Sequence, residues 1–206
     1  MKVLRSALLF ILVSNVFQLN AQHDSLYSYE GIASRIFLPS LDIGFINPNS
    51  SLISTAYLVK TSVEYRIRNN NDYFLRLTYN TFGSKYKLNN ATTTNTIEGT
   101  AQITDVFLAP GYRFGDKHFR FMIAYMPGIR FYEYPTATLN GNNILLEQKA
   151  GRLFTTSALG TLEIYFDEKS AITFSYFHNQ VWKNIDFWAE GRNAFGCSIG
   201  FITSLI

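Results

Sequence analysis

The chain is short of charge. Lys, Arg, Asp and Glu make up 16% of its 206 residues, against about 25% in an ordinary soluble domain. A surface that met water on all sides with so few charges would be poorly soluble. Cysteine is limited to Cys197, which excludes a disulfide framework. The three histidines, His23, His118 and His178, are scattered and lack the spacing of a metal site. No apolar run reaches the roughly 18 residues that a spanning helix needs. No glycine-rich loop resembles a phosphate cradle; Gly31, Gly83 and Gly99 stand where bends or strand edges are expected. What the chain does have is 47% apolar residues, enough to exclude disorder, with Tyr and Phe together contributing 31 β-favouring aromatics.

The first residues read as an address. Lys2 and Arg5 precede an apolar core from Ala7 to Val13, which resumes at Val16 and Phe17, and Leu19-Asn20-Ala21 offers a small residue before Gln22. That order is a secretory signal peptide over 1–21, too short to anchor in a membrane. No Cys lies near the cut, so a lipid anchor is not indicated. An N-terminal segment, 22–35, and a single domain over 36–206 follow. Cleavage removes two of the 18 basic residues and no acidic ones, leaving 16 against 15, a net charge of +1. A nucleic-acid partner therefore has no electrostatic footing.

From about Ile36 onward the pattern has period two. Between Ile53 and Arg68 the odd positions (Tyr57, Val59, Val63, Tyr65 and Ile67 among them) are mostly apolar. The even positions include Ser54, Lys60, Ser62, Glu64, Arg66 and Arg68. A strand sorts these onto two faces, whereas a helix would scatter both sets around its circumference. The same alternation sets Tyr73, Leu75, Leu77 and Tyr79 opposite Arg76; Val106, Leu108, Tyr112 and Phe114 opposite Asp105 and Arg113; and Phe119, Phe121, Ile123, Tyr125, Ile129 and Phe131 opposite Arg120 and Arg130. Phe154, Ala158, Leu162, Ile164 and Phe166 oppose Thr155, Ser157, Thr161 and Glu163. Ile172, Phe174 and Tyr176 follow, then Phe195, Cys197, Ile199 and Phe201 opposite Gly196, Ser198 and Gly200. A weaker first strand sets Phe37, Leu41, Ile43 and Phe45 against Ser40, Asp42 and Gly44, with Pro39 interrupting. Eight strands result. The turns at Asn69–Asp72, Gly115–Lys117 and Asp167–Lys169 are tight, while Leu88–Glu98, Glu133–Ala150 and Lys183–Arg192 read as long loops. Short turns at one end and long connections at the other predict an all-β fold: an eight-stranded antiparallel up-and-down transmembrane β-barrel.

A soluble ligand-binding barrel has the same parity turned inside out. Three features favour the membrane version. The polar face is rich in small residues, as in Ala194, Gly196, Ser198 and Gly200, which suits the narrow interior of eight strands. Tyr65, Tyr73, Phe114, Phe119 and Phe166 fall by the short turns, and Tyr57, Phe131 and Phe154 toward the long loops, the two aromatic girdles of a membrane barrel. The scarcity of charge is the third. In strand layout and in its terminal β-strand, Phe195 to Leu205, the chain resembles the small outer-membrane β-barrel proteins of Gram-negative bacteria. It looks most like the PorT-like outer-membrane β-barrel domain proteins of the Bacteroidetes, whose precursors often end their signals in Ala-Gln, as Ala21-Gln22 does here. The resemblance implies export to the outer membrane and contact with its lipid and lipopolysaccharide. The ending Ser204-Leu205-Ile206 departs from the terminal Phe common in such proteins, leaving Phe201 as the residue that would serve that signal.

The inward charges are the candidate site: Lys60, Arg66, Arg76, Arg113, Arg120 and Arg130 with Asp42, Glu64, Asp105 and Glu163. Isolated charges in a narrow lumen are costly, so interlocking ion pairs are expected. The readings are a plugged, non-catalytic barrel serving envelope integrity, surface interaction or an envelope assembly, or a small anion-preferring channel, since the cations outnumber the anions. A lipid A-modifying enzyme would need a nucleophilic Ser beside a His. A resemblance to lipid A deacylases would imply Ser two residues after that His, where His178 has Gln180 instead; no catalytic residues, metal or cofactor are assigned. Cys197 reads as an apolar filler, and a match such as Asn90-Ala91-Thr92 to a glycosylation acceptor as chance. A monomer is expected, with any protein partner at the long loops.

Overall fold

Side chains alternate across a strand, so a run with one apolar and one polar face closes on itself only where one face can be kept from solvent. In the computed structural model, residues 36–39, 41–49, 54–67, 73–89, 96–140, 143–167, 169–183 and 193–204 are described. The signal peptide over 1–21 and the segment 22–35 lie outside the described residues. The strands are β1 (Ile36–Pro39), β2 (Asp42–Pro48), β3 (Ala56–Arg66), β4 (Tyr73–Asn89), β5 (Thr96–Gly115), β6 (Phe119–Asn140), β7 (Asn143–Tyr165), β8 (Ser170–Val181) and β9 (Asn193–Ser204). Each pairs antiparallel with its sequence neighbour from β2 to β9, and β1 and β2 both pair with β3 on one side and β9 on the other. Together β1 and β2 form one barrel strand, and the sheet is a closed eight-stranded antiparallel barrel.

The break in that first strand is a bulge. Phe37 pairs with Glu64 and Asp42 with Lys60, so five steps on this strand match four on β3. On the other side, Pro39 pairs with Ile202 and Ile43 with Ile199, four steps against three. One extra residue reverses the side-chain parity. Phe37 is therefore buried inside, while Leu41, Ile43 and Phe45 face outward. This corrects the expectation that Phe37 shares their face, because strict period two cannot register an inserted residue.

Of the connections that read as long loops, Glu133–Ala150 is largely ladder and Leu88–Glu98 is ladder at both its ends, its residues 90–95 lying outside the described residues. β4 and β5 stay paired to Asn89 and Thr96, and β6 and β7 to Asn140 and Asn143. β5 keeps step with β6 only as far as Gln102 and Glu133, and β8 with β7 only to Thr155 and Val181. The two hairpins thus run on past the wall shared with their neighbours. Where both faces meet water, alternation is no longer selected while backbone pairing continues, so the period-two signal fades before the strand ends. Of Lys183–Arg192, residues 184–192 lie outside the described residues, as do 68–72.

The turn joining β5 to β6 is tight for local reasons. Gly115 has φ of 132°, a conformation suited to glycine. Asp116 donates its N–H to the Phe119 carbonyl (3.0 Å), and its Oδ1 accepts from the amides of His118 and Phe119, both at 2.8 Å. Those two donors, Phe119 first, hold the Asp116 carboxyl below the ordinary aspartate value of 3.8. A depressed carboxyl contributes stability that is present above its unfolded value and is lost as pH falls through its folded one. The amide resonances of His118 and Phe119 are therefore expected to titrate together with a midpoint below 3.8; a midpoint at or above it would contradict this assignment.

The two faces of the wall differ in kind. Along the outer face, from Tyr57 to Ile67, Tyr73 to Thr81, Val106 to Phe114, Phe119 to Phe131, Phe154 to Phe166, Ile172 to His178 and Phe195 to Phe201, no Lys, Arg, Asp or Glu occurs. Leu77, Leu108, Phe121, Ile123, Tyr125 and Tyr176 are exposed there. An 11-residue strand such as β3, at about 3.3 Å per residue and a tilt of roughly 40°, spans about 28 Å, the height of a bilayer's apolar layer. Inside, an apolar cluster that includes Ile46, Leu58, Phe82, Ile103, Phe107, Met122, Met126 and Phe177 runs up the lumen toward the long connections. Small residues on β9 make the room: a Cβ on Gly196 would meet the Phe177 ring at 2.2 Å.

Candidate functional site

Nine charged side chains from six strands point into the lumen and are buried: Asp42, Lys60, Glu64, Arg66, Arg76, Asp105, Arg113, Arg130 and Glu163. Strand parity brings them there, and register decides who meets whom. Glu64 of β3 lies directly across from Arg76 of β4 and is bonded by three guanidiniums. Arg66 Nε donates to Oε1 at 2.9 Å, Arg113 Nη2 to Oε1 at 2.8 Å, and Arg76 to Oε2 in a short ion pair. Arg113 also reaches Glu163 on β7, at 2.6 Å from Nε and 2.9 Å from Nη2. A Tyr165 hydroxyl links the cluster, accepting from Arg66 Nη2 (2.9 Å) and donating to Glu163 Oε2 (3.0 Å). Aromatic faces cover the rest: Phe37 lies 3.2 Å from Arg66 Cζ, and Phe74 lies near both Arg76 and Arg113.

Two smaller groups stand beside it. Lys60 pairs with Asp42 across the β2–β3 ladder and donates to Ser175 (3.3 Å) and Ser198 (3.2 Å), tying β3 to β8 and β9. Gly200 seats Asp42, since a Cβ there would meet the carboxylate at 1.8 Å. Arg130 grips Asp105 with two bonds, 2.6 and 2.7 Å, from directly opposite positions on β6 and β5. Arg120 stands apart from these groups, which corrects its place in the set. It sits half-buried at the short-turn mouth, its Nε donating to the Asp116 carbonyl at 3.1 Å and its guanidinium 4.9 Å from the Tyr165 ring. Although Arg120 pairs in register with Glu163, the oxygens of that carboxylate are engaged by Arg113 and Tyr165.

Tyr165 and Phe74 are members that the sequence reading missed. Both share parity with charged residues, Tyr165 with Glu163 and Phe74 with Arg76, and that parity was the available signal. Their aromatic character matched the outer face and hid it. Tyr57, Tyr65, Phe114, Phe119, Phe131, Phe154 and Phe166 are exposed on the outer wall, and Tyr73 partly so. Tyr73, Tyr112, Phe114 and Phe121 form a run of neighbouring rings with centroids 5.1, 6.2 and 5.9 Å apart. His178 stacks on Phe195 at 4.6 Å and 10° on that same outer wall, away from the lumen charges. The lumen arrangement can lock strands together across the barrel. Arg66, Arg76 and Arg113 lie side by side across its short-turn half.

No protein-family model matches the chain, and no curated protein matches it. Solved structures do. Neisserial surface protein A has a TM-score of 0.59 at 12% identity, covering 85% of this chain and 100% of that one. The outer membrane protein OprG from Pseudomonas aeruginosa gives 0.57 at 8%, covering 85% and 98%. Ail, the attachment invasion locus protein of Yersinia pestis, in complex with the heparin analogue sucrose octasulfate, gives 0.51 at 11%, covering 82% and 95%. At these identities the likeness is one of fold: the chain has the barrel of small outer-membrane proteins.

Proposed function

We propose that this chain is a non-catalytic outer-membrane β-barrel protein of a Gram-negative envelope, exported by a cleaved signal and most akin to the PorT-like barrels of the Bacteroidetes. The observation that carries the reading is the inversion of the wall. The outer face has no Lys, Arg, Asp or Glu across its span while nine charges are buried within. In water that arrangement would expose a continuous apolar surface far larger than a soluble monomer tolerates; in a bilayer it is the ordinary one. The lumen, filled by ion pairs and by the Phe107–Met122–Met126–Phe177 cluster, suits an anchor better than a conduit. The working surface is then the pair of hairpins that continue past the wall, β4–β5 and β6–β7, where a protein partner would bind a monomeric barrel. Around the wall the partners are lipid and lipopolysaccharide. Trp182, half-exposed with its ring N–H bonded to Thr156 (3.0 Å), sits at the long-connection rim with Phe131, Phe154 and the exposed Arg152, the interfacial mix of aromatic and cation.

The test is heat-modifiable migration of the protein taken from the outer-membrane fraction. A folded barrel resists the detergent and shifts on boiling. Recovery from the soluble periplasm with no shift would turn the wall inside out and make the apolar face the lining of a ligand cavity.

A further inference from the structure

One edge of the sheet above the wall is unpaired. β8 keeps step with β7 from Tyr165 up to Thr155, and one further bond runs from the Trp182 N–H to the Phe154 carbonyl at 3.3 Å. Beyond that point β7 continues as a strand from Asn143 to Leu153, paired on one side with β6 and, among the described residues, with nothing on the other. Backbone groups alternate along an antiparallel strand: one residue turns both its N–H and its C=O to one neighbour, and the next residue to the other. Phe154 turns toward β8, so Ile144, Leu146, Gln148, Ala150 and Arg152 turn theirs to the open edge. That is a long row of unused donors and acceptors, and the segment holds no proline to blunt it. Glu147, Gln148, Lys149 and Ala150, at and beside its middle, are exposed.

The sequence of that edge fits itself. In an antiparallel pair a hydrogen-bonded residue faces a hydrogen-bonded one, so two copies of this edge meet only about a two-fold axis that passes through a residue. An axis through Gln148, the midpoint of 143–153, uses the whole edge and sets Asn143 opposite Leu153 at both ends. It also sets Glu147 of each copy opposite Lys149 of the other, at the non-hydrogen-bonded positions where side chains approach most closely. An axis through Lys149 would face lysine with lysine, and one through Glu147 glutamate with glutamate. An axis through Ala150 leaves Gly151 and Leu153 opposite the two charges. We propose that the open edge of β7 pairs with the same edge of a second copy, antiparallel and centred on Gln148. The proposal rests on the outer-membrane reading and names the partner of its β6–β7 hairpin. Strand direction decides where the second copy stands. β7 runs from the long-connection end toward the short-turn end, as it does in every barrel inserted the same way, so an antiparallel partner belongs to a barrel of opposite direction. The pairing therefore joins two facing membranes, and each barrel stays monomeric in its own.

The experiment uses the full chain in phosphatidylcholine vesicles, with heat-modifiable migration as the check that each variant is a folded barrel. Clustering of the vesicles is followed by light scattering. Wild-type vesicles are expected to cluster and to leave fluorescent protein-free vesicles out of the clusters, since both membranes must contribute an edge. Ala150→Pro removes an N–H from the open edge and none from the β6 ladder, so it is expected to keep the heat shift and lose clustering. Glu147→Lys and Lys149→Glu, each alone, place like charges opposite one another and are expected to lower clustering to the protein-free level. The double variant Glu147→Lys/Lys149→Glu exchanges the two charges and is expected to restore it. Dispersed wild-type vesicles, capture of protein-free vesicles, undiminished clustering in Ala150→Pro, or failure of the double variant to restore it would each overturn the proposal. With the heat shift intact, any of these leaves the membrane barrel standing and only the pairing falls; loss of the wild-type heat shift brings down both.

Discussion

Glu64→Ala is expected to lower the urea midpoint of the folded barrel by more than any other single change among its carboxylates. The reason is valence. Asp105 is held by Arg130 and Asp42 by Lys60, whereas Glu64 is bonded by Arg66, Arg76 and Arg113 at once. Removing one partner of a buried pair typically destabilises by about 3–5 kcal/mol, because it leaves the other charge desolvated and unmatched. Here three guanidiniums lose an acceptor together; Arg113 keeps its hydrogen bonds to Glu163, while Arg76 keeps only a 3.9 Å ion pair to that same carboxylate. The effect is expected at the upper end of that range. Glu147→Ala, on an exposed stretch of the β6–β7 hairpin, is the control and should change stability by no more than about 0.5 kcal/mol. Urea midpoints in detergent, compared at equal slope, read the difference. If Glu64→Ala and Glu147→Ala unfold at the same urea concentration, the cluster is not a lock and the plugged-anchor reading loses its physical basis.

How much of this was legible beforehand follows from where period two holds. Between the rims each strand has one face in lipid and one in a packed lumen, so every second residue is under a different constraint, and the strands and the buried charges can be read from parity alone. Three things fell outside that signal. The bulge between Phe37 and Asp42 adds one residue without changing composition, and only pairing on both sides, to β3 and β9, exposes it. The outer halves of β4 to β7 carry no regular alternation, with Ile144, Leu145 and Leu146 in succession, although their backbones remain paired. Arg120 has lumen parity, but it is the second residue of β6, at the mouth, and a long side chain there can turn to the Asp116 carbonyl and the Tyr165 ring. Parity fixes the side of the sheet a residue is on; it carries no information about depth.

Depth is what the second large effect measures. Leu77→Arg is expected to destabilise the barrel in lipid by about 2–4 kcal/mol, the cost of a cation at the middle of the apolar layer. Leu77 is half-exposed on the outer wall, its register neighbours are Val63 on β3 and Leu108 on β5, and no acidic side chain lies on that face to receive the new charge. Phe131→Arg, on the same face but at the long-connection rim, should cost only about 0–1 kcal/mol beyond the loss of its ring contacts, because an arginine there can extend to the interface. Folding free energies of both variants in liposomes would give the gradient. A water-facing wall makes the opposite prediction: Leu77→Arg would then be nearly neutral, as most exposed substitutions are, and position along the strand would not matter. The comparison is informative because both variants add the same charge to the same face at different heights. A steep difference between the two places lipid against the outer wall without reference to any relative, and a flat one would return the apolar face to the inside of a soluble barrel.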